Sequence, residues 1–291
     1  MMDLHVGRGT TRGAMTVFPL WTTSGGVGRY TTLAKHLDVS EVDSGPDVGT
    51  LMVGNLGKRP ALVLEGQLFE GGWQHRMSMR SLMVGVHERI PVEVACVEQG
   101  RWSGERQQPS RGRRATPYVR DAARGGGDVQ GEVWNRVARH TNGTPNLTGS
   151  LVEHLDRAAG GLTVWSDLRP LPGQSGVLIG IGGQPYVAEV FDSPQTLRRQ
   201  FAAIVEAAAL DAQWAPGVET PGRRARRFAE RCGALRTELV GPAGIGEEVR
   251  GRSAYVDATS LTWEGRDVHT RLSNVRHPML VAGCQGESRL R

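Results

Sequence analysis

Lysine is almost absent from this 291-residue chain. Lys35 and Lys58 are the only two, so 33 of the 35 basic residues are arginine. Codon composition accounts for such a skew more simply than a nucleic-acid surface. The arginines are dispersed among 30 acidic residues, and the net charge of +5 marks no single basic face. Two clusters, "RGRR" at 111–114 and "RRARR" at 223–227, have phosphate-binding chemistry. Neither is interleaved with the aromatics that RNA recognition uses, so nucleic acid ranks last among partners. Cysteine is also scarce. Cys96, Cys232 and Cys284 form no CxxC, which excludes a disulfide framework and favours a reducing cytoplasm. No apolar run approaches the roughly 18 residues of a membrane helix, and the first fifteen residues lack the apolar stretch of a secretory signal. The eight histidines are scattered without HExxH spacing, so no metal and no cofactor is expected.

Aromatics make up 5% of the chain, yet seven of them are Trp, several beside Arg, Gln or Glu. Residues 1–13 read as a flexible leader, and 15–21 as a first strand. Residues 24–39 read as a Gly-rich loop entering a short helix with Leu33 and Leu37 four apart. Short apolar runs at 50–55, 60–66, 77–85 and 89–98, separated by turn residues, predict strands. A polar stretch at 103–117 follows. Helices are then expected after Asp128, with Val129, Val133, Trp134 and Val137 on one face, and again around 148–161. Residues 176–181 and 186–191 read as a hairpin. Ser193 and Pro194 open a helix striped by Leu197, Phe201, Ile204, Val205 and Ala208. A third helix is expected from 222, then strands turning at Glu264–Gly265, and a tail from 276. Strands, then helices, then mixed elements predict an α+β fold: an antiparallel sheet or sandwich lobe at 15–102, and a helical and mixed α+β lobe at 118–274.

Two segments concentrate polar chemistry. In "RIPVEVACVE" the period of two puts Ile90, Val92, Val94 and Cys96 on one strand face. Glu98 occupies the next position on that face. A buried carboxylate must be paired or protonated. Paired with Arg101 or Arg76, Glu98 is either a plain ion pair fixing the sheet or a group that holds a ligand hydroxyl. In an apolar niche it would instead act as general acid or base. In "LEGQLFEGGWQHR", Gln74 and Arg76 share a face if the segment is extended, a pairing that suits phosphate, carboxylate or a sugar edge. In "QGEVW", Glu132 either serves a ligand at the helix start or complements the helix dipole and pairs with Arg136. "SGGVGR" lacks the Lys–Ser/Thr of a phosphate loop and "GIGG" precedes no helix, so both read as turns.

The strings "EGQLFEGGWQHR", "CVEQGRW", "QGEVW" and "FDSPQT", with "LDA" at 210–212, occur in one order from about 15 to 274. Together they resemble the ADP-ribosylglycohydrolase- and rhodanese-phosphatase-associated protein domain family. The matched polar positions are Gly66, Gln74, Arg76, Cys96, Glu98, Gly100, Arg101, Trp102, Gln130, Glu132 and Trp134. The chain departs from the family pattern at Gln67, where the family tends to have Glu, and at His75. The resemblance implies a protein that binds or hydrolyses an ADP-ribose-type, NAD-derived metabolite, or a non-catalytic module for such a ligand or for a protein partner. On that reading Arg76 and Arg101 hold the pyrophosphate, and Trp102 or Trp134 stacks on adenine. Gln74, Glu98 and Glu132 address ribose hydroxyls, with Gln130 beside them. Glu98 is then the candidate general base, and Glu132 the second candidate carboxylate. If the carboxylate missing at Gln67 is the family's catalytic base, the protein is inactive or uses Glu65 or Glu70 instead.

Overall fold

A computed structural model describes residues 3–284 apart from 24, 25, 27, 125 and 126. The chain opens with β1 (Leu4–Val6), β2 (Thr10–Arg12) and β3 (Met15–Thr22). Seven short strands follow: β4 (Leu37–Ser40), β5 (Thr50–Asn55), β6 (Ala61–Val63), β7 (Leu68–Phe69), β8 (Arg76–Ser78), β9 (Leu82–Val84) and β10 (Arg89–Cys96). Next come α1 (Pro117–Arg120), α2 (Val129–Thr141) and α3 (Leu151–Leu162), then the hairpin β11 (Gly176–Ile181) and β12 (Gln184–Phe191). Helices α4 (Pro194–Ala212) and α5 (Gly222–Gly233) precede β13 (Glu238–Ala243), β14 (Gly246–Arg252), β15 (Val256–Trp263), β16 (Arg266–Asn274) and α6 (Pro278–Cys284). The sheets are mostly antiparallel and the fold is α+β, as the element pattern implied.

The chain divides into two compact units. One combines residues 1–28 with 164–291, and the other is residues 29–163. These divisions fall elsewhere than the expected lobes at 15–102 and 118–274, because strand pairing joins the two ends of the chain in one sheet. The first unit is built on nine strands in the order β1-β3-β11-β12-β16-β15-β14-β13, with β2 also on β3. Phe18, Leu20, Leu178, Ala188 and Val190 on one face pack with Ala225, Phe228 and Cys232 of α5. Helix α4 packs on β3, β11 and β12 through its buried Leu197, Phe201 and Ile204. The β11–β12 turn is "GG" with φ of 57° and 82° at Gly182 and Gly183, the left-handed geometry that two-residue hairpins need. Pro194 stands at the first turn of α4, while the Ser193 side chain makes no capping hydrogen bond.

The second unit holds a five-stranded sheet, β4-β5-β10-β8-β7, and the pair β6–β9. Strand β10 changes partner along its length. Arg89 to Glu93 pair with β5, and Val94 to Cys96 pair with β8. Val92, Val94 and Cys96 are buried, as the alternation predicts. Helix α2 starts at Asp128, whose carboxylate accepts the Gly131 N–H at 2.9 Å, and it packs on β10 and α3.

Three expectations need correction. Residues 1–13 are no loose leader: β1 and β2 pair with β3, and Leu4 and Val6 pack against the α5 core. The helix expected within 24–39 is a 3-10 turn at Ala34–His36 followed by β4, because the backbone of Leu37–Ser40 pairs with Asn55–Met52. Local periodicity there yields to sheet pairing. Positions 24, 25 and 27 of that segment lie outside the described residues. The tail expected from 276 contains α6, and positions 285–291 also lie outside the described residues. Strands β13 and β14 carried no signal, since β13 is a largely exposed edge strand without an apolar face.

A chain beginning at Met15 is expected to lose about 2 kcal/mol of stability, from losing Leu4 and Val6 and uncovering the α5 core they pack against. Thermal melts of the two forms check this. Equal midpoints would restore the leader reading.

Candidate functional site

The polar residues singled out from the sequence all lie in the unit of residues 29–163. Glu98 follows the last residues of β10 and is 3% exposed. Its backbone forms an isolated antiparallel bridge with Ser150. Both carboxylate oxygens are engaged. Oε1 accepts from Arg101 Nε at 3.0 Å and the Thr148 hydroxyl at 2.9 Å. Oε2 accepts from Arg101 Nη2 at 2.6 Å and the His75 backbone N–H at 3.0 Å. Burial pushes the Glu98 pKa up, but the Arg101 hydrogen bonds, the His75 N–H and the Thr148 hydroxyl outweigh it. The net shift is below the ordinary carboxylate value of 4.5. A carboxylate so held is ionised and has its lone pairs in use. It is a poor general base, and the geometry favours the ion-pair reading over the acid–base one.

Arg101 is equally committed. Besides Glu98, Nη1 donates to the carbonyls of Gly72 at 2.6 Å and Ser103 at 2.8 Å, and Nη2 donates to Gly71 at 3.2 Å. Five donated hydrogen bonds match the five N–H groups of a guanidinium. The pair therefore ties the Gly71–Gly72 turn to the end of β10 and leaves no donor for a pyrophosphate. His75 completes this turn, since its Nδ1 accepts the Gly71 N–H at 2.8 Å and its ring faces Glu98. Burial lowers its pKa, so the imidazole is neutral near pH 7.

Gln130 and Glu132 also have internal partners. The Gln130 amide accepts the Cys96 N–H at 2.8 Å and donates to the Cys96 carbonyl at 2.9 Å. It stands in for a neighbouring strand and docks α2 on β10. Glu132 accepts from Arg136 Nε at 2.6 Å, one helical turn on, as the dipole-and-pair reading required. Arg136 reaches further, to the Tyr118 carbonyl and Asp121. Trp134 lies beside the Cys96 thiol. Burial raises that thiol's pKa despite the hydrogen bond from the Glu98 backbone and the neighbouring Trp134, so Cys96 stays protonated and is no nucleophile. Glu70 is occupied by Arg113, at 3.0 and 2.6 Å, and by Arg111. The Gln67 amide bonds the Leu64 N–H and the Ser110 hydroxyl.

Arg76 stands apart. It is 0% exposed, opposite Cys96 in the β8–β10 register. Among the described residues the guanidinium makes one hydrogen bond, from Nη2 to the Asp47 carbonyl at 3.4 Å, and Nε and Nη1 are buried without partners. Desolvation lowers its pKa, opposed by Cys96, Glu41 and Asp47. The Trp102 ring covers the guanidinium at 5.7 Å and meets Trp73 edge to face at 5.6 Å. Trp102 is 46% exposed and begins the exposed segment 102–107. Gln74 donates to the Glu98 carbonyl at 3.0 Å, while its Oε1 is buried without a partner. Glu41, which the sequence did not mark, is 2% exposed. One of its oxygens accepts from Gln108 and the Trp73 N–H, and Oε2 has no partner. Thirty-five residues separate Glu41 from Arg76, and nothing local announces that its charge acts on the guanidinium. Among the described residues no cluster of three His, Cys, Asp or Glu could hold a metal ion, and no helix is long and apolar enough to cross a membrane.

Glu98→Gln is expected to cost about 3–5 kcal/mol, because it strands the Arg101 charge against the turn it holds. Since the folded pKa is the lower one, the stability from Glu98 is full above the ordinary carboxylate value. It is lost as pH falls through the folded value. Urea unfolding between pH 7 and pH 3 should show the variant weaker at neutral pH, with a flatter acid limb. A variant as stable as wild type at pH 7 would remove Glu98 from its structural role.

No curated protein and no solved structure matches this chain. One family model does, over residues 3–273, and it takes in β1 and β2 as well as every residue of the Glu98–Arg101 and Arg76 groups. The chain belongs to the family described as the ARG and Rhodanese-Phosphatase-superfamily-associated Protein domain.

Proposed function

We propose that the unit of residues 29–163 binds a phosphate-bearing, nucleotide-type metabolite, with an ADP-ribose-type, NAD-derived compound as the ligand class. The observation that carries this reading is Arg76. An isolated buried charge is costly, and folding tolerates it here without a carboxylate partner within salt-bridge distance. An anion supplies acceptors for these N–H groups, and hydrogen bonds from a guanidinium to phosphate are among the strong, charge-assisted ones. Trp102 supplies a stacking face and also the entrance. Its ring must swing aside for a ligand to reach Nε and Nη1, and its exposed segment leaves room for that movement.

Binding without turnover fits the site better than hydrolysis. Glu98 and Glu132 are both held by arginines, Cys96 is a protonated buried thiol, and Gln67 contributes an amide where the family tends to have a carboxylate. The buried free thiols Cys96 and Cys232 suit a cytoplasmic setting.

Arg76→Met keeps the stem and removes the charge. The ligand-free variant should melt at the same temperature as wild type or higher, since a desolvated charge is gone. ADP-ribose should raise the wild-type midpoint by mass action and bind the variant about 10–100-fold more weakly, the worth of a charged hydrogen-bonded pair. Thermal shift with ADP-ribose, NAD and simple nucleotides reads both effects. No shift in the wild type with any of them would overturn the proposal.

A further inference from the structure

Arg76 is not the only group in its surroundings left unmet. Glu41 Oε2 and Gln74 Oε1 are buried acceptors without donors, beside two buried donors without acceptors. These groups form one neighbourhood. Glu41 touches the Trp73 N–H, the Trp73 ring meets Trp102, Trp102 covers Arg76, and Gln74 follows Trp73 in sequence. Glu41 and Arg76 attract each other electrostatically, yet no salt bridge joins them. Simple anions satisfy only half of this arrangement. Bound to Arg76, they leave the carboxylate and the amide oxygen still wanting hydrogens, and an unsatisfied buried acceptor costs about 1–3 kcal/mol.

We infer that the site recognises the ribose-phosphate portion of its ligand, with phosphate on Arg76 and neighbouring sugar hydroxyls donating to Glu41 Oε2 and Gln74 Oε1. This rests on the ligand reading above and deepens it: these groups read the sugar and its phosphate, and the base is secondary. A polyol provides two O–H donors on adjacent carbons, matching two acceptors, and its C–H face packs on an indole. Recognition through groups that are otherwise buried and unpaired also gives steep discrimination, because a ligand lacking the hydroxyls leaves the acceptors stranded.

Calorimetric titration of the full chain tests this with ribose 5-phosphate, propyl phosphate, inorganic phosphate, phosphoethanolamine and ADP-ribose. Wild type should bind ribose 5-phosphate at least about 10-fold more tightly than propyl phosphate, the loss expected for an unmet acceptor. Glu41→Gln keeps the oxygen that Gln108 and Trp73 use and turns the free one into an N–H donor. That variant should lose the preference, read as the ratio of the two affinities, since removing the Glu41 charge acts on the phosphate of both compounds alike. If ADP-ribose binds in an Arg76-dependent way but ribose 5-phosphate shows no preference, or Glu41→Gln preserves it, the inference fails and the proposed function stands. Tighter binding of phosphoethanolamine would overturn it in favour of a zwitterion. Binding of inorganic phosphate as tight as that of ribose 5-phosphate would reduce the site to a phosphate site. No binding of any compound overturns both readings.

Discussion

The Glu98 carboxylate and the Arg101 guanidinium organise everything around them. Between them they make five hydrogen bonds to the backbone and side chains nearby: the Gly71 and Gly72 carbonyls, the Ser103 carbonyl, the His75 N–H and the Thr148 hydroxyl all converge there. Buried ion pairs survive desolvation only when their remaining hydrogen-bonding capacity is filled in this way. Here that condition sets the path of two loops. The turn before β8 and the segment after β10 are bound to one pair of charges, which brings Trp73 and Trp102 into contact and places Trp102 over Arg76.

Two arginines near one strand end thus have opposite fates. Arg101 has every donor satisfied and serves the fold. Arg76, opposite Cys96 in the same sheet, has almost none satisfied. Proteins break local rules of satisfaction chiefly at functional sites, which supports the proposed role of Arg76. Satisfied Glu98–Arg101 and unsatisfied Arg76–Glu41 lie next to each other, so the rigid pair braces the open one. Gln130 adds to this from the helical side by completing the hydrogen bonds of Cys96, which keeps β10 and Arg76 in register.

Much of this was legible from residue order. Alternation in Arg89–Cys96 identified a half-buried strand and marked Glu98 as an inward carboxylate, and Asp128 identified the start of α2. The i,i+4 spacing of Glu132 and Arg136 already favoured their pairing. The elements that escaped were those whose stability comes from distant partners. Leu37–Ser40 is a strand because Asn55–Met52 lies alongside it, and β1 and β2 are strands because β3 offers an edge. Edge strand β13 has no apolar face to betray it.

What sequence alone determined is the fold class, the strand that leads into Glu98, and several of the polar residues that gather around it, since side-chain period and helix spacing are local properties of the chain. Which arginine would be consumed and which left open was decided only by tertiary structure. Arg76 and Arg101 are chemically identical and both lie close to Glu98 in sequence or register. Their difference rests on whether the Glu98 carboxylate and the carbonyls of Gly71, Gly72 and Ser103 come within hydrogen-bonding distance, and such distances exist only once the chain has folded.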